Sequence, residues 1–263
     1  MNSAVDIKWL DLALGYILLL IPAAVFWYYK TGLVKDTLVA AGRMTVQLIL
    51  VGLYLEFIFA KDSTLINLAW VFIMVLVAAY TTVQRSELNY RIYLIPVFIA
   101  STISILLVDI YFFAVVIRLN NIFKAMYFIP ITGMLLGNCI RGNIIAINSY
   151  YSRLHKEPLL YRYSLASGAS RGEALMPYIR DAIKTSFNPT IATMAVVGLI
   201  SLPGMMTGQI LGGNSPMIAI KYQIMLMITI LVASVITVIL TMYIANKFVF
   251  NDFDILKSGV IRK

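Results

Sequence analysis

Stretches of about 20 mostly apolar residues recur along this chain, and each is long enough to cross the hydrocarbon core of a bilayer as a helix. Seven qualify, at about 9–29, 37–60, 65–83, 92–117, 126–148, 188–213 and 222–245. Inside lipid only a helix or a closed barrel satisfies every backbone polar group, and runs of this length favour helices. Composition agrees: 61% of the residues are hydrophobic and 13% charged, against roughly half and a quarter in a soluble domain. The excess is hidden only in lipid. The sequence therefore predicts an all-α, polytopic integral membrane protein with about seven transmembrane helices. It forms a single unit over residues 1–263 with no attached soluble domain. Asp6 and Lys8 precede the first apolar run and no A-x-A site follows it, so that run is expected to remain as the first span.

The basic residues orient the spans. With the N-terminus outside, the inside loops hold Lys30, Lys35, Arg85, Arg91, Arg153, Lys156, Arg162, Arg171, Arg180 and Lys184, and the tail holds Lys247, Lys257, Arg262 and Lys263. Only Lys8, Lys61, Arg118, Lys124 and Lys221 fall outside. The asymmetry favours an N-out, C-in chain. The net charge of +9 then reflects inside loops held near anionic lipid rather than a nucleic-acid partner.

Several chemistries are excluded. One cysteine, Cys139, forms no internal disulfide and no multi-cysteine cluster, and one histidine, His155, forms no multi-histidine site. There is no G-x-x-x-x-G-K-[ST] loop, no HExxH and no possible Ser/His/Asp set. Catalysis by this chain alone is not expected. Any ATP that drives it is hydrolysed on another polypeptide.

The one sizeable polar connection spans residues 149–187. Ser170 and Glu173 have the spacing of a capping box. Beyond them Leu175, Tyr178, Ile179, Ala182 and Ile183 recur at helical spacing, with Arg180, Asp181 and Lys184 facing away. This is an amphipathic cytoplasmic helix that Pro177 should kink or split. It either rests on the headgroups or docks a partner.

Polar residues also fall within the spans: Arg43, Gln47 and Glu56 in the second, Asp109 in the fourth and Arg141 in the fifth. Arg43, Glu56 and Arg141 can snorkel to an interface. Asp109 lies deeper, and pathway lining, an ion pair or a shifted boundary all account for it. The fifth span carries Gly133 and Gly137 four apart, with Asn138, Cys139 and Asn143 beside them. Residues 188–213 begin with Asn188 as a cap and Pro189 in the first turn. They are interrupted at Pro203 and Gly204, and continue with Met205, Met206, Thr207, Gly208, Gln209 and Gly212. The glycine spacing reads as close helix packing. The sharper alternative is a broken pathway helix whose Met205, Met206 and Gln209, with Cys139 and Asn138, offer soft or amide ligands to a metal in transit.

Taken together, the run from Leu165 and Ala166 through Gly168, Ala169, Ser170 and Glu173, the later Pro189-Thr190, and above all the string LPGMMTGQIL at 202–211 resemble the Fet-type iron-export permease family, which has relatives among plant aluminium-tolerance proteins. Arg43 to Gln47, Gly137-Asn138 and the opening of the last span fit as well. The resemblance implies a multi-pass permease of the plasma or inner membrane that works as a homodimer of this chain. It implies two copies of a separate cytoplasmic ABC ATPase that carry the ATP and magnesium, and no cofactor on this chain. Leu165, Ala166, Gly168, Ala169, Ser170 and Glu173 resemble the loop through which such permeases engage their ATPase. Arg162 stands where that loop commonly has a glutamate. Pro203, Gly204 and Gly208 would form a gate, and Met205, Met206, Gln209, Asn138, Cys139, Asp109 and Gln47 the path. A different cargo, such as a nucleotide sugar, and a non-transporting scaffold are the competing readings.

Overall fold

The computed structural model describes residues 7–200, 202–251 and 253–257. Asp6, Ser201, Arg262 and Lys263 lie outside the described residues. The order of elements is α1 (Trp9–Gly15), a 3₁₀ turn (Tyr16–Leu19), α2 (Leu20–Tyr28), α3 (Leu33–Lys61), α4 (Thr64–Arg85), α5 (Tyr90–Tyr111), a π turn (Phe112–Val116), α6 (Ala125–Lys156), α7 (Pro158–Ala166), α8 (Arg171–Val196), α9 (Gly204–Leu211) and α10 (Pro216–Val249). Among the described residues no extended strand is assigned, and β pairing is limited to isolated bridge positions such as Phe250 with Leu256. The expected all-α, multi-pass fold is therefore the observed one.

Six helical stretches are long and apolar enough to cross a membrane: Trp9–Tyr28, Leu33–Lys61, Thr64–Arg85, Tyr90–Val116, Ala125–Lys156 and Pro216–Val249. They correspond to the first five expected spans and the last. The stretch at 188–213 is built differently from the sequence expectation. Asn188 does not cap a helix and Pro189 does not open one, because both lie inside α8, which already runs from Arg171. Nor is α8 split at Pro177. Each proline removes one backbone hydrogen bond, at a cost of about 3 kcal/mol in a helix interior. Leu175, Tyr178, Ala182, Ser186 and Phe187 are buried along this helix. That packing offsets the two losses.

The break also falls earlier than expected. The helix ends at Val196, and Gly198 follows with φ +87°. A left-handed glycine just past a helix is a stop signal that needs no side chain. Pro203 then occupies the N-cap position of the short helix α9. It starts a new helix and does not interrupt an old one.

Two apolar clusters hold the bundle. At the end that carries α7 and the C-terminal segment, Tyr93, Tyr150, Tyr151, Tyr161 and Tyr178 pack with Leu88, Leu154 and Met242. At the opposite end Phe112, Phe113, Phe128, Leu135 and Leu226 pack together. The N-terminal helices stand apart from this bundle. Nothing in α1 or α2 is buried, and α3 buries only Ile58, against Ala125 and Ile129. Asp62 pins this hairpin down: its carboxylate accepts from the Ala125 backbone N–H at 2.8 Å, at the start of α6. A negative group there also complements the helix dipole.

Of the expected Gly133 and Gly137 pair only Gly133 is closely approached, by Met74 of α4, whose Cε would lie 2.9 Å from a Cβ there; a further approach is at Gly142. A Cβ on Gly142 would meet Ser186 Oγ at 3.6 Å and Ser234 Cβ at 3.7 Å, so α8 and α10 both reach α6 there. A Cβ on Gly137, Gly204 or Gly208 would meet nothing within 4 Å. Gly142→Leu is expected to force α8 and α10 off α6 at a cost of about 1–3 kcal/mol, while Gly137→Leu leaves the chain's own stability unchanged. Thermal unfolding of the two variants in detergent, followed by size exclusion, checks the contrast.

Candidate functional site

Four helices, α6, α8, α9 and α10, surround a cavity of about 280 Å³. Each contributes a stripe at helical spacing. From α6 come Met134, Asn138, Arg141, Gly142 and Ile145. From α8 come Ser186, Phe187, Pro189, Thr190 and Thr193. Pro203, Gly204 and Met205 close it from the start of α9, and Gln223, Met227, Ile230 and Ser234 line it from α10. The cavity thus sits where the chain leaves α8 and restarts as α9.

Its polar groups are of two kinds. Some are committed to the helices themselves. Ser186 donates to the Gly142 carbonyl at 2.8 Å, Thr193 to the Pro189 carbonyl at 2.9 Å, and the Asn138 amide to the Met134 carbonyl at 2.9 Å. Others are not. Gln223 is 5% exposed, and its side-chain oxygen has no hydrogen-bond partner. Leaving such a group unpaired costs about 1–3 kcal/mol. Arg141 is the only charged side chain lining the cavity.

The structure therefore brings together only some of the residues singled out in the sequence. Asn138, Pro203, Gly204 and Met205 meet at the cavity. Met206 does not: it is buried in α9 and absent from the lining. Gln209 has a buried side-chain oxygen without a partner, yet it too lies off the cavity. Cys139 is sealed between α6 and α10, where its sulfur accepts from Thr237 Oγ1 at 3.5 Å and Ser234 Oγ at 3.8 Å. Asp109 is 2% exposed and accepts from Thr132 Oγ1 at 2.6 Å, an internal hydrogen bond rather than a path-lining position. Gln47 is exposed on α3, away from the cavity. Among the described residues no group of three or more His, Cys, Asp or Glu could hold a metal ion. The proposed soft-ligand set of Cys139, Met205, Met206 and Gln209 is thus not assembled in one place.

Sequence reasoning singled out Arg141 only as a charge able to snorkel, and passed over Gln223, Met134 and Met227 as site residues. The signal was present in the stripe 134, 138, 141, 145 on α6 and in 223, 227, 230, 234 on α10. Both are faces of helical period carrying polar or thioether groups on otherwise apolar spans.

The α7–α8 turn is the second built feature. Ala169 N–H bonds to the Ser164 carbonyl at 3.1 Å and Gly168 N–H to the Leu165 carbonyl at 3.0 Å, with Gly168 at φ +92°. This Schellman closure needs the glycine. Ser170 then opens α8 with the expected capping box: Glu173 N–H donates to Ser170 Oγ at 3.4 Å, and Ser170 N–H to Glu173 Oε2 at 2.8 Å. The Ser170 hydroxyl, which donates to Glu173 Oε2 at 2.6 Å, and then the Ser170 N–H hold the Glu173 carboxyl below the usual carboxylate range. On α7, Leu159 and Tyr163 are 78% and 72% exposed, one turn apart, while Leu165 packs inward on the tyrosine cluster. Asp181 does not face away as expected, because it pairs with Arg153 of α6. The segment after α10 braces the turn. Tyr161 donates to the Asp254 carbonyl at 2.8 Å, and Arg171 pairs with the Asp254 carboxylate at 3.0 Å. Burial pushes the Tyr161 phenol up to about 12.

Fold and cavity together define a multi-pass α-helical membrane protein with a pocket where α8 ends and α9 begins. The model of the uncharacterised protein family UPF0014 matches residues 9–250, and the chain belongs to that family. It is 34% identical over 243 residues to the probable iron export permease protein FetB of Escherichia coli, covering 92% of each chain. It is 30% identical over 249 residues to the Protein ALUMINUM SENSITIVE 3 of Arabidopsis thaliana, covering 94% of this chain and 89% of that one. It is 32% identical over 235 residues to the UPF0014 membrane protein STAR2 of rice, covering 88% and 80%. No solved structure matches the chain. The resemblance drawn from LPGMMTGQIL is borne out.

In a Cys139→Ala background, Met227→Cys is expected to react with a small water-soluble thiol reagent and Met206→Cys to resist it by at least about tenfold, since thiol modification follows exposure. Labelling rates in native membranes check this.

Proposed function

We propose that this chain is the permease subunit of an exporter for iron or a related metal, energised by ATP hydrolysed on a separate cytoplasmic ATPase. In this reading two copies of the chain form the membrane part, ATP and magnesium stay on the partner, and this chain catalyses nothing. The observation that carries the proposal is the continuity of α8. One unbroken helix runs from the braced α7–α8 turn to Val196, past the cavity wall at Ser186, Pro189, Thr190 and Thr193.

A push on the turn would travel along that helix as a rigid body. The link at Gly198 would let α9 lag behind, so the Pro203–Met205 wall would move relative to Thr190 and Thr193 and change access to the cavity. Export of iron is supported by the named activity of the Escherichia coli relative. The basic residues Arg153, Lys156, Arg162, Arg171 and Lys247 gather at the end bearing α7, which supports a cytoplasmic position for the turn.

Docking would use the exposed Leu159 and Tyr163 beside Ala166 and Gly168. Substituting Gly168 itself tests this poorly, because φ +92° penalises any side chain regardless of a partner. Leu159→Asp with Tyr163→Asp touches only exposed positions. This pair is expected to abolish co-purification of the ATPase and to lower transport by about tenfold or more, as loss of two interface anchors does, with membrane insertion intact. Deleting the chain is expected to raise cellular iron, measured by elemental analysis. Lower iron on deletion would reverse the direction.

A further inference from the structure

We infer that the cavity takes its cargo as an anion bearing carboxylate or phosphate oxygens, with Arg141 as the recognising charge, and not as a bare metal cation. This rests on the permease reading above and specifies what such a permease would carry.

Three observations converge. Arg141 lies near the middle of α6, about 24 Å along the helix from Ala125 at 1.5 Å per residue. It makes no ion pair among the described residues. The residue is exposed rather than enclosed, and it lines the cavity, so its charge is available at the cavity mouth. Second, no carboxylate lines that cavity, and Asp109, the buried carboxylate of α5, is turned into the α5–α6 interior by Thr132. Third, Gln223 keeps an unpartnered amide oxygen at 5% exposure in the same wall.

Iron as an aqueous ion wants carboxylate, imidazole or water ligands. Here it would meet one fixed positive charge, thioethers and amides. An oxygen anion meets the opposite situation. The guanidinium offers paired donors that match a carboxylate or phosphate. The Gln223 amide accepts from a cargo hydroxyl as it stands, or donates after a half-turn. Met134, Met205 and Met227 supply adaptable apolar walls for the remainder of the molecule. A metal could still be carried, wrapped in a polycarboxylate that leaves the complex negative. A free phosphate-bearing molecule presents the same chemistry.

The test is equilibrium binding to the purified chain in lipid nanodiscs, without the ATPase, using four probes: citrate, ferric citrate, pyrophosphate and ferrous ion alone. At least one anionic probe is expected to bind. Arg141→Gln is expected to weaken it by about tenfold or more, the loss of a charge-assisted pair, while Arg43→Gln, which removes a charge from exposed α3, leaves it unchanged. Tighter binding of ferric citrate than of citrate assigns a metal complex; tighter binding of pyrophosphate assigns a phosphate compound. Gln223→Glu is near-isosteric and decides the matter should Arg141→Gln fail to fold. It is expected to expel the anion and to admit ferrous ion. Binding of ferrous ion to the wild type, with Arg141→Gln neutral or tightening, overturns the inference. So does absence of binding by every anion. Failure of ATPase co-purification would strike the permease reading and leave this binding result standing.

Discussion

Ser186 donates its hydroxyl to the Gly142 carbonyl, 2.8 Å away, where α6 has no side chain and α10 arrives with Ser234. This three-helix contact sets the positions of everything around the cavity. Because α8 is held against α6 here, it stays helical through Pro177 and Pro189. Because it stops at Gly198, the wall on its far side has to be rebuilt by α9. The cavity is the space between a helix that is held and one that restarts.

The membrane's intolerance of unpaired polar groups sorts the remaining side chains into two sets. Asp109 with Thr132, Cys139 with Thr237 and Ser234, and Asn67 with the Phe123 carbonyl bond within the bundle and serve packing, although Asp109 Oδ1 and Asn67 Oδ1 are left without partners. The buried Gln223 oxygen has no partner in the helices around it, and the exposed Arg141 makes no ion pair among the described residues; both line the cavity. Neither polarity nor a missing partner alone marks the path, since Gln209 and Asp109 also keep unpartnered buried oxygens away from the cavity; convergence on the cavity does.

At the opposite extreme of α8, the α7–α8 turn is shaped by backbone needs and by the C-terminal segment together. Gly168 closes α7, Ser170 opens α8, and Asp254 ties both helices through Tyr161 and Arg171. A partner that displaced Leu159 and Tyr163 would act on a turn whose only stiff outlet is α8.

Much of this was legible along the chain. Apolar length alone predicts the spans, because a bilayer admits few alternatives, and the Ser170 capping box is local chemistry that survives intact. Six of the seven expected spans have the helical form predicted for them. The remaining one was misjudged at Asn188 and Pro189, since local start signals give way when neighbouring helices offer packing on both sides of a proline. Among the site residues, Asn138 and Met205 reach the cavity while Cys139 and Met206 do not. Their neighbours in sequence differ little, and only the rotation of α6 and α9 against α10 separates them. What the sequence by itself determined is the all-α membrane architecture, the caps and the chemistry available on each helix face. What the tertiary structure decided is which faces converge, because convergence depends on helix rotation and on contacts such as Gly142 with Ser186 that join residues 44 positions apart. Arg141 becomes a candidate binding group only through that convergence.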